Sequence, residues 1–171
     1  IAGVDDILRN VIENKRSVSK RPRRLTMVVT TPGGYIEVVK RIVETIRHHY
    51  DHVSFIVPNY AFSAGTVLAM SGDCIYMDYF SRLGPIDPQR ELDDGHFVPA
   101  LGYLIQWDRL VEKAKNGDIT PAEVYLMVQG FDQAVLYQYD QERELSIALL
   151  TEWLAKYKFK DWTETATRKL P

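Results

Sequence analysis

The chain has 171 residues, 46% hydrophobic and 26% charged, which is the composition of one well-packed globular domain. Its net charge of −2 gives no reason to expect nucleic acid or an anionic membrane as a partner. The single cysteine, Cys74, excludes an internal disulfide and a cysteine-rich metal site, and we expect it to be a buried, inert thiol. No apolar run approaches the roughly 18 residues of a membrane span, and no signal peptide is visible.

The ends of the chain suggest a piece of a longer protein. The chain begins at Ile1 without a methionine and ends at Pro171, and we expect residues 1–171 to form a single domain of it. A membrane anchor could lie in a segment outside these residues. The sequence therefore assigns neither a cytoplasmic nor a membrane-associated location.

The first half of the chain alternates between helical and strand patterns. In chain order, apolar spacing predicts helix 4–12, strand 25–30, helix 35–50, strand 53–57, helix 64–71 and strand 74–77. Strands and helices that alternate at short intervals predict βαβ units, and hence an α/β fold with a parallel sheet.

After the segment 81–89 the sequence predicts a polar loop through Gly95, and the rest of the chain is predicted to be helical. One helix covers residues 101–115. Thr120 to Glu123 then has the pattern of a capping box, with proline at the first helical position. Apolar residues recur from there to Trp153, with Gly130 inside the run, which indicates either one long helix or two in series. The aromatic residues of this region suit helix packing or a subunit interface.

Ser63 is the strongest candidate for a functional residue. It has a small residue nearby on each side, Ala61 and Ala64, and it lies between a predicted strand and a predicted helix. At the N-terminus of a helix the free backbone N–H groups and the helix dipole favour negative charge. Ser63 could instead be a helix N-cap that satisfies a backbone donor.

A second turn of the same kind contains Gly33 and Gly34, where bare backbone can approach a ligand closely. Both turns follow predicted parallel strands. Ligands of such sheets bind beyond the carboxyl ends of the strands, so we expect the two turns to meet at one edge. The alternative is that the glycines only form a tight turn.

Three segments in this order resemble the serine dehydrogenase proteinase family of the Clp-protease/crotonase superfamily. They are residues 31–34 (TPGG), 57–66 (VPNYAFSAGT) and 83–89 (LGPIDPQ). The chain is more loosely similar to signal peptide peptidase A and to the membrane-anchored stomatin-cleaving serine proteases. The resemblance runs from about Asp5 to Gln89. It implies a Clp/crotonase-like fold of stacked βαβ units, a peptide or protein substrate, and homo-oligomers.

The resemblance also implies roles for individual residues. Ser63 would be the nucleophile of a serine peptidase that forms an acyl-enzyme. The backbone N–H groups of Gly33 or Gly34 and of Ala64 would form the oxyanion hole. A tetrahedral intermediate needs two such donors, which agrees with the chemistry of the two turns.

The general base is less clear from the sequence. The Clp protease uses a histidine about where Asp87 stands here, and Asp87 could simply bond to local backbone N–H groups. Relatives of signal peptide peptidase A use a lysine, which points to Lys113 first and Lys115 second. His96 is a further candidate, whereas His48, His49 and His52 are expected to end the helix of residues 35–50 as solvated residues.

Asp73, Asp78 and Asp87 could supply a third member of the catalytic group. No pair of them has metal-ligand spacing, and the sequence contains no nucleotide fingerprint. We therefore predict no metal and no cofactor. Two competing functions stay open. One is a catalytically inactive binding or assembly module that has lost its base, and the other is an acyl-thioester enzyme of the crotonase type.

Overall fold

The computed structural model of the chain describes residues 3–18, 23–87, 89–91 and 97–162. Contacts divide the chain into two compact units. We call residues 1–86 together with 145–171 the sheet unit, and residues 87–144 the helical unit. The prediction of a single domain over residues 1–171 stays a prediction.

The sheet unit contains the alternating elements. In chain order they are α1 (Asp5–Val18), β1 (Arg24–Val28), α2 (Ile36–His49), β2 (His52–Val57), β3 (Tyr60–Ala61), α3 (Ala64–Met70), β4 (Cys74–Met77) and β5 (Arg82–Leu83). Strands β1, β2 and β4 form a parallel sheet in the order β1-β2-β4, with Met27 opposite Phe55 and Phe55 opposite Ile75. Helices α2 and α3 connect these strands, which confirms the predicted α/β fold with βαβ units.

The core of the sheet unit lies where α2 and α3 meet the sheet. In β2 the side chains of Val53, Phe55 and Val57 alternate onto one face and are 0–1% exposed. The apolar stripe of α2, which includes Val39 and Ile46, is similarly buried. Each such side chain contributes about 1.5–3 kcal/mol by leaving water, so this core fixes the strands whose ends carry the candidate site.

A second, smaller sheet continues beyond the first. Strands β3 and β5 pair in parallel, and Thr31 forms an isolated parallel bridge to Ala61 of β3. The Thr31 N–H donates to Tyr60 O at 3.1 Å, and the Phe62 N–H donates to Thr31 O at 3.1 Å. The sequence patterns predicted only turns here, because two-residue strands leave no periodicity to detect.

The helical unit begins with an antiparallel pair, β6 (Gln89–Glu91) and β7 (Phe97–Pro99), followed by α4 (Leu101–Asn116) and α5 (Pro121–Val128). The prediction of a polar loop through Gly95 was therefore wrong at its start, because backbone pairing forms strands from residues with a polar pattern. The capping box of α5 is present, since Thr120 Oγ1 accepts from the Glu123 N–H and Glu123 accepts from the Thr120 N–H.

The C-terminal helical region consists of two helices in series, not one. After α5 the chain turns at Gly130, and α6 (Gln133–Trp153) begins beyond Asp132, whose N–H donates to the Tyr103 hydroxyl. Residues from 145 onward belong to the sheet unit, where Trp153 is 4% exposed in the core. A π-helical turn, Leu154–Lys158, follows. None of the described helices is both long and apolar enough to cross a membrane.

Candidate active site

Three loops of the sheet unit leave the small sheet at one edge. Gly33 and Gly34 follow Thr31, Ser63 follows β3, and Pro85 follows β5. Because these three segments run parallel, their carboxyl ends face the same way. Gly33 and Pro85 therefore both lie against Ser63, which brings together parts of the three segments that carried the family resemblance.

The backbone of Ser63 is strained. Its φ of 51° and ψ of −127° make it the one non-glycine residue with positive φ in the part of the chain that the structure describes. Such a conformation costs about 1–3 kcal/mol and persists only where the surroundings impose it. A serine on a strained turn between a strand and a helix is also how nucleophile elbows present a hydroxyl.

The hydroxyl of Ser63 is not used to cap α3. Although Ser63 occupies the N-cap position, its side chain makes no capping hydrogen bond. The backbone of Ser63, in contrast, is hydrogen-bonded at both groups. Ser63 O accepts from the Thr66 N–H at 2.9 Å, and the Ser63 N–H donates to Pro85 O at 3.0 Å. The alternative that Ser63 is an N-cap serving a backbone donor is therefore wrong, and its half-buried hydroxyl stays open to a ligand.

Gly33 lies directly against Ser63. A Cβ atom built on Gly33 would be 2.9 Å from Ser63 Cβ and 3.0 Å from Phe62 O. The φ angles of Gly33 and Gly34, 122° and 148°, also lie where other residues are strained. Two independent constraints thus require glycine at position 33, namely its positive φ and the lack of space for a Cβ atom.

The backbone N–H groups of the glycine loop and of the Ser63 turn differ in whether they have an acceptor. The Gly33 N–H donates to Thr31 Oγ1 at 3.1 Å, so it is occupied within its own loop. Across the described residues of the sheet unit, no acceptor is found for the Gly34 N–H or the Ala64 N–H. These two N–H groups, one beside Ser63 in sequence and one in the facing loop, are available to an anion.

A family model described as ClpP-like SDH-type serine proteinase matches residues 3–156 of the chain. That range covers both glycines of the facing loop, Ser63 and most of the described helices. The chain belongs to the ClpP-like SDH-type serine proteinase family.

Two uncharacterized proteins of Methanocaldococcus jannaschii are similar to this ClpP-like chain. MJ0137 is 33% identical over 85 residues, which is 50% of this chain and 28% of the relative. MJ1495 is 28% identical over 129 residues, which is 72% of this chain and 42% of the relative. The matched regions thus span less than half the length of either relative.

No general base is identified next to Ser63 among the described residues of the sheet unit. Among the described residues of that unit, none makes a hydrogen bond to the Ser63 hydroxyl. His48 and His49 end α2, and His52 begins β2, at the sheet edge opposite Ser63. With about 3.3 Å per strand residue, the length of β2 alone separates His52 from the serine turn. The expectation that His52 ends the helix was wrong, because it is the first residue of β2.

Of the three aspartates considered as third members, Asp73 and Asp78 have other partners. Asp73 precedes β4 at the edge opposite Ser63 and pairs with Arg47 at 2.8 Å. Asp78 follows β4 and accepts hydrogen bonds from the N–H groups of Phe80 and Ser81 and from the Ser81 hydroxyl. The hydrogen bond from the Phe80 N–H contributes most to lowering the pKa of Asp78. The Asp78 carboxylate therefore stabilises the turn that follows β4.

The remaining candidates lie in the helical unit. Lys113 and Lys115 are exposed side chains in the last turn of α4. Asp87, half-buried, is the first residue of that unit. His96 lies outside the described residues. Cys74, at the start of β4, is free and half-buried, not buried as expected.

Sequence reasoning missed the contribution of Thr66. Its hydroxyl lies 2.7 Å from Ala61 O and 2.9 Å from Gly84 O, so it ties the strand before Ser63 to the loop beside it. The residue is 5% exposed. A threonine three residues after Ser63 was the available signal, but its contact with Gly84 joins residues 18 apart in the sequence.

Proposed function

We propose that this chain is a serine peptidase in which Ser63 attacks a peptide carbonyl and forms an acyl-enzyme. The observation that carries the proposal is the strained, uncapped Ser63 beside two backbone N–H groups without acceptors in the sheet unit. Strain is retained at such a turn when it places a functional group. The family to which the chain belongs supports the same reaction class.

The oxyanion hole in this proposal consists of the N–H groups of Gly34 and Ala64. Gly33, the other predicted donor, is assigned to shape the loop because its N–H is bonded to Thr31 and its bare α-carbon faces Ser63. Each donor of an oxyanion hole typically contributes about 3 kcal/mol to the transition state. The negative charge would develop at the N-terminus of α3, where the helix dipole also favours it.

The general base we propose is Lys113, in line with the resemblance to lysine-dependent relatives. A serine hydroxyl needs such a base within hydrogen-bond reach, and a lysine can act as one when burial or neighbouring cations lower its pKa. Lys113 is exposed in the chain by itself, so the burial would have to come with substrate or with another subunit.

The second candidate function is an inactive binding or assembly module with the same fold. One observation favours it: the Ser63 hydroxyl has no hydrogen-bond partner among the described residues of its own unit. A family member that has lost its base would keep the serine turn and the glycine loop.

Labelling with a fluorophosphonate probe separates the two functions. We expect the wild-type chain to be labelled and the variant Ser63→Ala to take no label, with an unchanged fold by circular dichroism. Lys113→Ala should reduce the labelling rate at least tenfold, while the matched variant Lys115→Ala should leave it nearly unchanged. A wild-type chain that takes no label between pH 6 and 10 would overturn the peptidase proposal.

A further inference from the structure

The side chain of Thr31 contacts the loop that contains Gly33 and Gly34. It is 8% exposed and lies where this loop leaves the small sheet. The Thr31 hydroxyl accepts from the Gly33 N–H at 3.1 Å and donates to Gly33 O at 3.3 Å. One hydroxyl therefore holds both backbone groups of the residue that precedes Gly34.

The methyl group of Thr31 lies against the other loop of the candidate site. A Cβ atom built on Gly65 would overlap Thr31 Cγ2, while the next nearest atoms, Ala61 Cβ and Thr31 O, would be at ordinary contact distances of 3.6 and 3.7 Å. The φ angle of Gly65 is not positive, so its backbone does not require glycine. The Thr31 methyl is thus the contact that leaves no space for a side chain on the residue after Ala64.

Thr31 is itself fixed by the main chain of β3. Its N–H donates to Tyr60 O, and its carbonyl accepts from the Phe62 N–H, at 3.1 Å each. A β-branched side chain is stiff about its first torsion angle, so the positions of its two branches are linked. In Thr31 one branch reaches Gly33 and the other reaches Gly65, and a displacement of either loop is therefore transmitted to the other.

We infer that Thr31 is a positioning residue that sets the distance between the N–H groups of Gly34 and Ala64. The inference rests on the proposed function, in which these two groups form the oxyanion hole. The Thr31 hydroxyl holds the residue before Gly34, and its methyl holds the residue after Ala64. Two donors stabilise one oxyanion only when both lie about 3 Å from it, so a displacement of either donor lowers the rate. Thr31 acts through the two loops and not on the substrate.

Two substitutions separate the branches of Thr31. Thr31→Val keeps the methyl and removes the hydroxyl, whereas Thr31→Ser does the reverse. With an alkyl fluorophosphonate we expect Thr31→Val to lower the maximal labelling rate at least about tenfold and to leave the half-saturating probe concentration unchanged, because the donors act in the transition state. Thr31→Ser should keep at least about a third of the wild-type rate. The control Thr45→Val removes a hydrogen bond within α2 and should leave both values unchanged.

Gly65 tests the methyl contact by compensation. Gly65→Ala should lower the maximal labelling rate at least about tenfold, because the added Cβ displaces the Thr31 methyl. The double variant Thr31→Ser with Gly65→Ala has space for that atom, and its rate should return to within about threefold of Thr31→Ser alone. The control Gly102→Ala adds a Cβ in α4 with nothing within 4 Å and should react like the wild type. Circular dichroism checks that every variant compared is folded.

Three results would overturn the inference. One is a Thr31→Val rate equal to that of the wild type, which decides the matter even if Gly65→Ala does not fold. Another is a Gly65→Ala variant that reacts like the wild type. The third is a folded double variant that is as slow as Gly65→Ala.

The wild-type chain distinguishes the failure of this inference from the failure of the proposed function. If the probe labels Ser63 in the wild type and Thr31→Val reacts equally fast, the peptidase proposal stands and the role of Thr31 is wrong. If the probe does not label the wild type at all, the peptidase proposal fails and the role of Thr31 fails with it.

Discussion

At the scale of single residues, the backbone of Ser63 is the feature that most distinguishes this chain from an ordinary α/β domain. Helices usually begin with a residue whose side chain caps the first turn. Here the residue in that position has a positive φ and leaves its hydroxyl unused. The strained backbone lowers the stability of the fold and fixes the position of the Ser63 hydroxyl oxygen. Strain of this kind is often found at functional sites.

The strain at Ser63 predicts an unusual order of stabilities. Ser63→Gly should be about 1–2 kcal/mol more stable than Ser63→Ala, because glycine adopts φ of 51° without strain while alanine does not. At the exposed position Lys40 in α2 the order should be the opposite. There Lys40→Ala should be more stable than Lys40→Gly by about 1 kcal/mol. Urea denaturation of the four variants measures both differences. If the glycine and alanine variants had the same order of stability at both positions, the backbone of Ser63 would not be strained.

Gly33 provides a second prediction at this scale. The variant Gly33→Ala should lose about 2 kcal/mol of stability and the fluorophosphonate reaction, because its Cβ would press on Ser63 at a positive φ. Gly117→Ala separates strain from crowding, since Gly117 has a φ of 76° but nothing within 4 Å of the added atom. It should lose only about 1 kcal/mol and keep the reaction. Thermal unfolding and labelling rates measure both.

At the scale of secondary structure, the edge of the sheet opposite Ser63 has its own anchor. The Asp73 carboxylate accepts from Arg47 and from the Val53 N–H at 2.8 Å each. The Arg47 guanidinium also lies 3.7 Å from the centre of the Tyr157 ring in the π-helical turn. This buried pair therefore joins α2, β2, β4 and the C-terminal segment.

The anchor predicts a pH dependence of stability. Burial would by itself raise the pKa of Asp73, but the Val53 N–H, Arg47 and His52 outweigh it and hold the pKa below its ordinary value. A carboxylate with a depressed pKa stabilises the fold above its unfolded pKa, about 3.9, and this contribution is lost as pH falls through the lower, folded value.

The variant Asp73→Asn should lose about 3 kcal/mol at neutral pH, because it leaves Arg47 without its charged partner. The gap between variant and wild type should be constant above about pH 5 and should narrow below about pH 4. The control Asp51→Asn breaks an exposed pair with Arg23 and should cost less than about 1 kcal/mol. Urea midpoints from pH 3 to 7 test this, and a gap independent of pH would contradict it.

The long elements could be predicted from the sequence, and the short ones could not. Helix α2 and strand β4 follow from apolar spacing, and the start of α5 follows from its capping box. Strands β3 and β5 have two residues each, and their pairing depends on contacts distant in sequence. Local sequence patterns do not reveal such contacts. These two strands nevertheless bring the Ser63 turn next to the loop that contains Pro85.

The candidate site was predictable in part for the same reason. Ser63 and the glycine pair could be recognised because serine carries a hydroxyl, glycine has a bare backbone, and both turns follow predicted strands. The choice between Gly33 and Gly34 as an anion donor was not predictable, since it depends on a hydrogen bond to Thr31. The base stayed unresolved because no sequence pattern shows which cation lies near a given serine in space.

At the scale of the whole molecule, the uncovered face of the sheet suggests assembly. Val28, Ile56 and Tyr76 are aligned across β1, β2 and β4 and are 68%, 36% and 57% exposed. Parallel sheets are usually covered on both faces, and exposed apolar patches mark interaction sites. We therefore propose that the chain forms homo-oligomers through this row.

Sedimentation velocity tests the assembly. We expect the wild-type chain to sediment as a multiple of the monomer mass, and Val28→Glu to shift it to the monomer because a charge in the row would be desolvated. Thr30 is exposed and lies two residues after Val28, and the control Thr30→Glu should sediment with the same mass as the wild-type chain. A wild-type chain that is a monomer at all concentrations would contradict the proposal.

Peptide mapping after reaction with a fluorophosphonate tests whether Ser63 is the nucleophile. Cleavage with trypsin releases residues 48–82 as one peptide, because no lysine or arginine lies between Arg47 and Arg82. Fragmentation of that peptide in the mass spectrometer locates the adduct among its serines, which include Ser54 and Ser71. We expect a single adduct, on Ser63. An adduct on any other residue, with Ser63 unmodified, would contradict it.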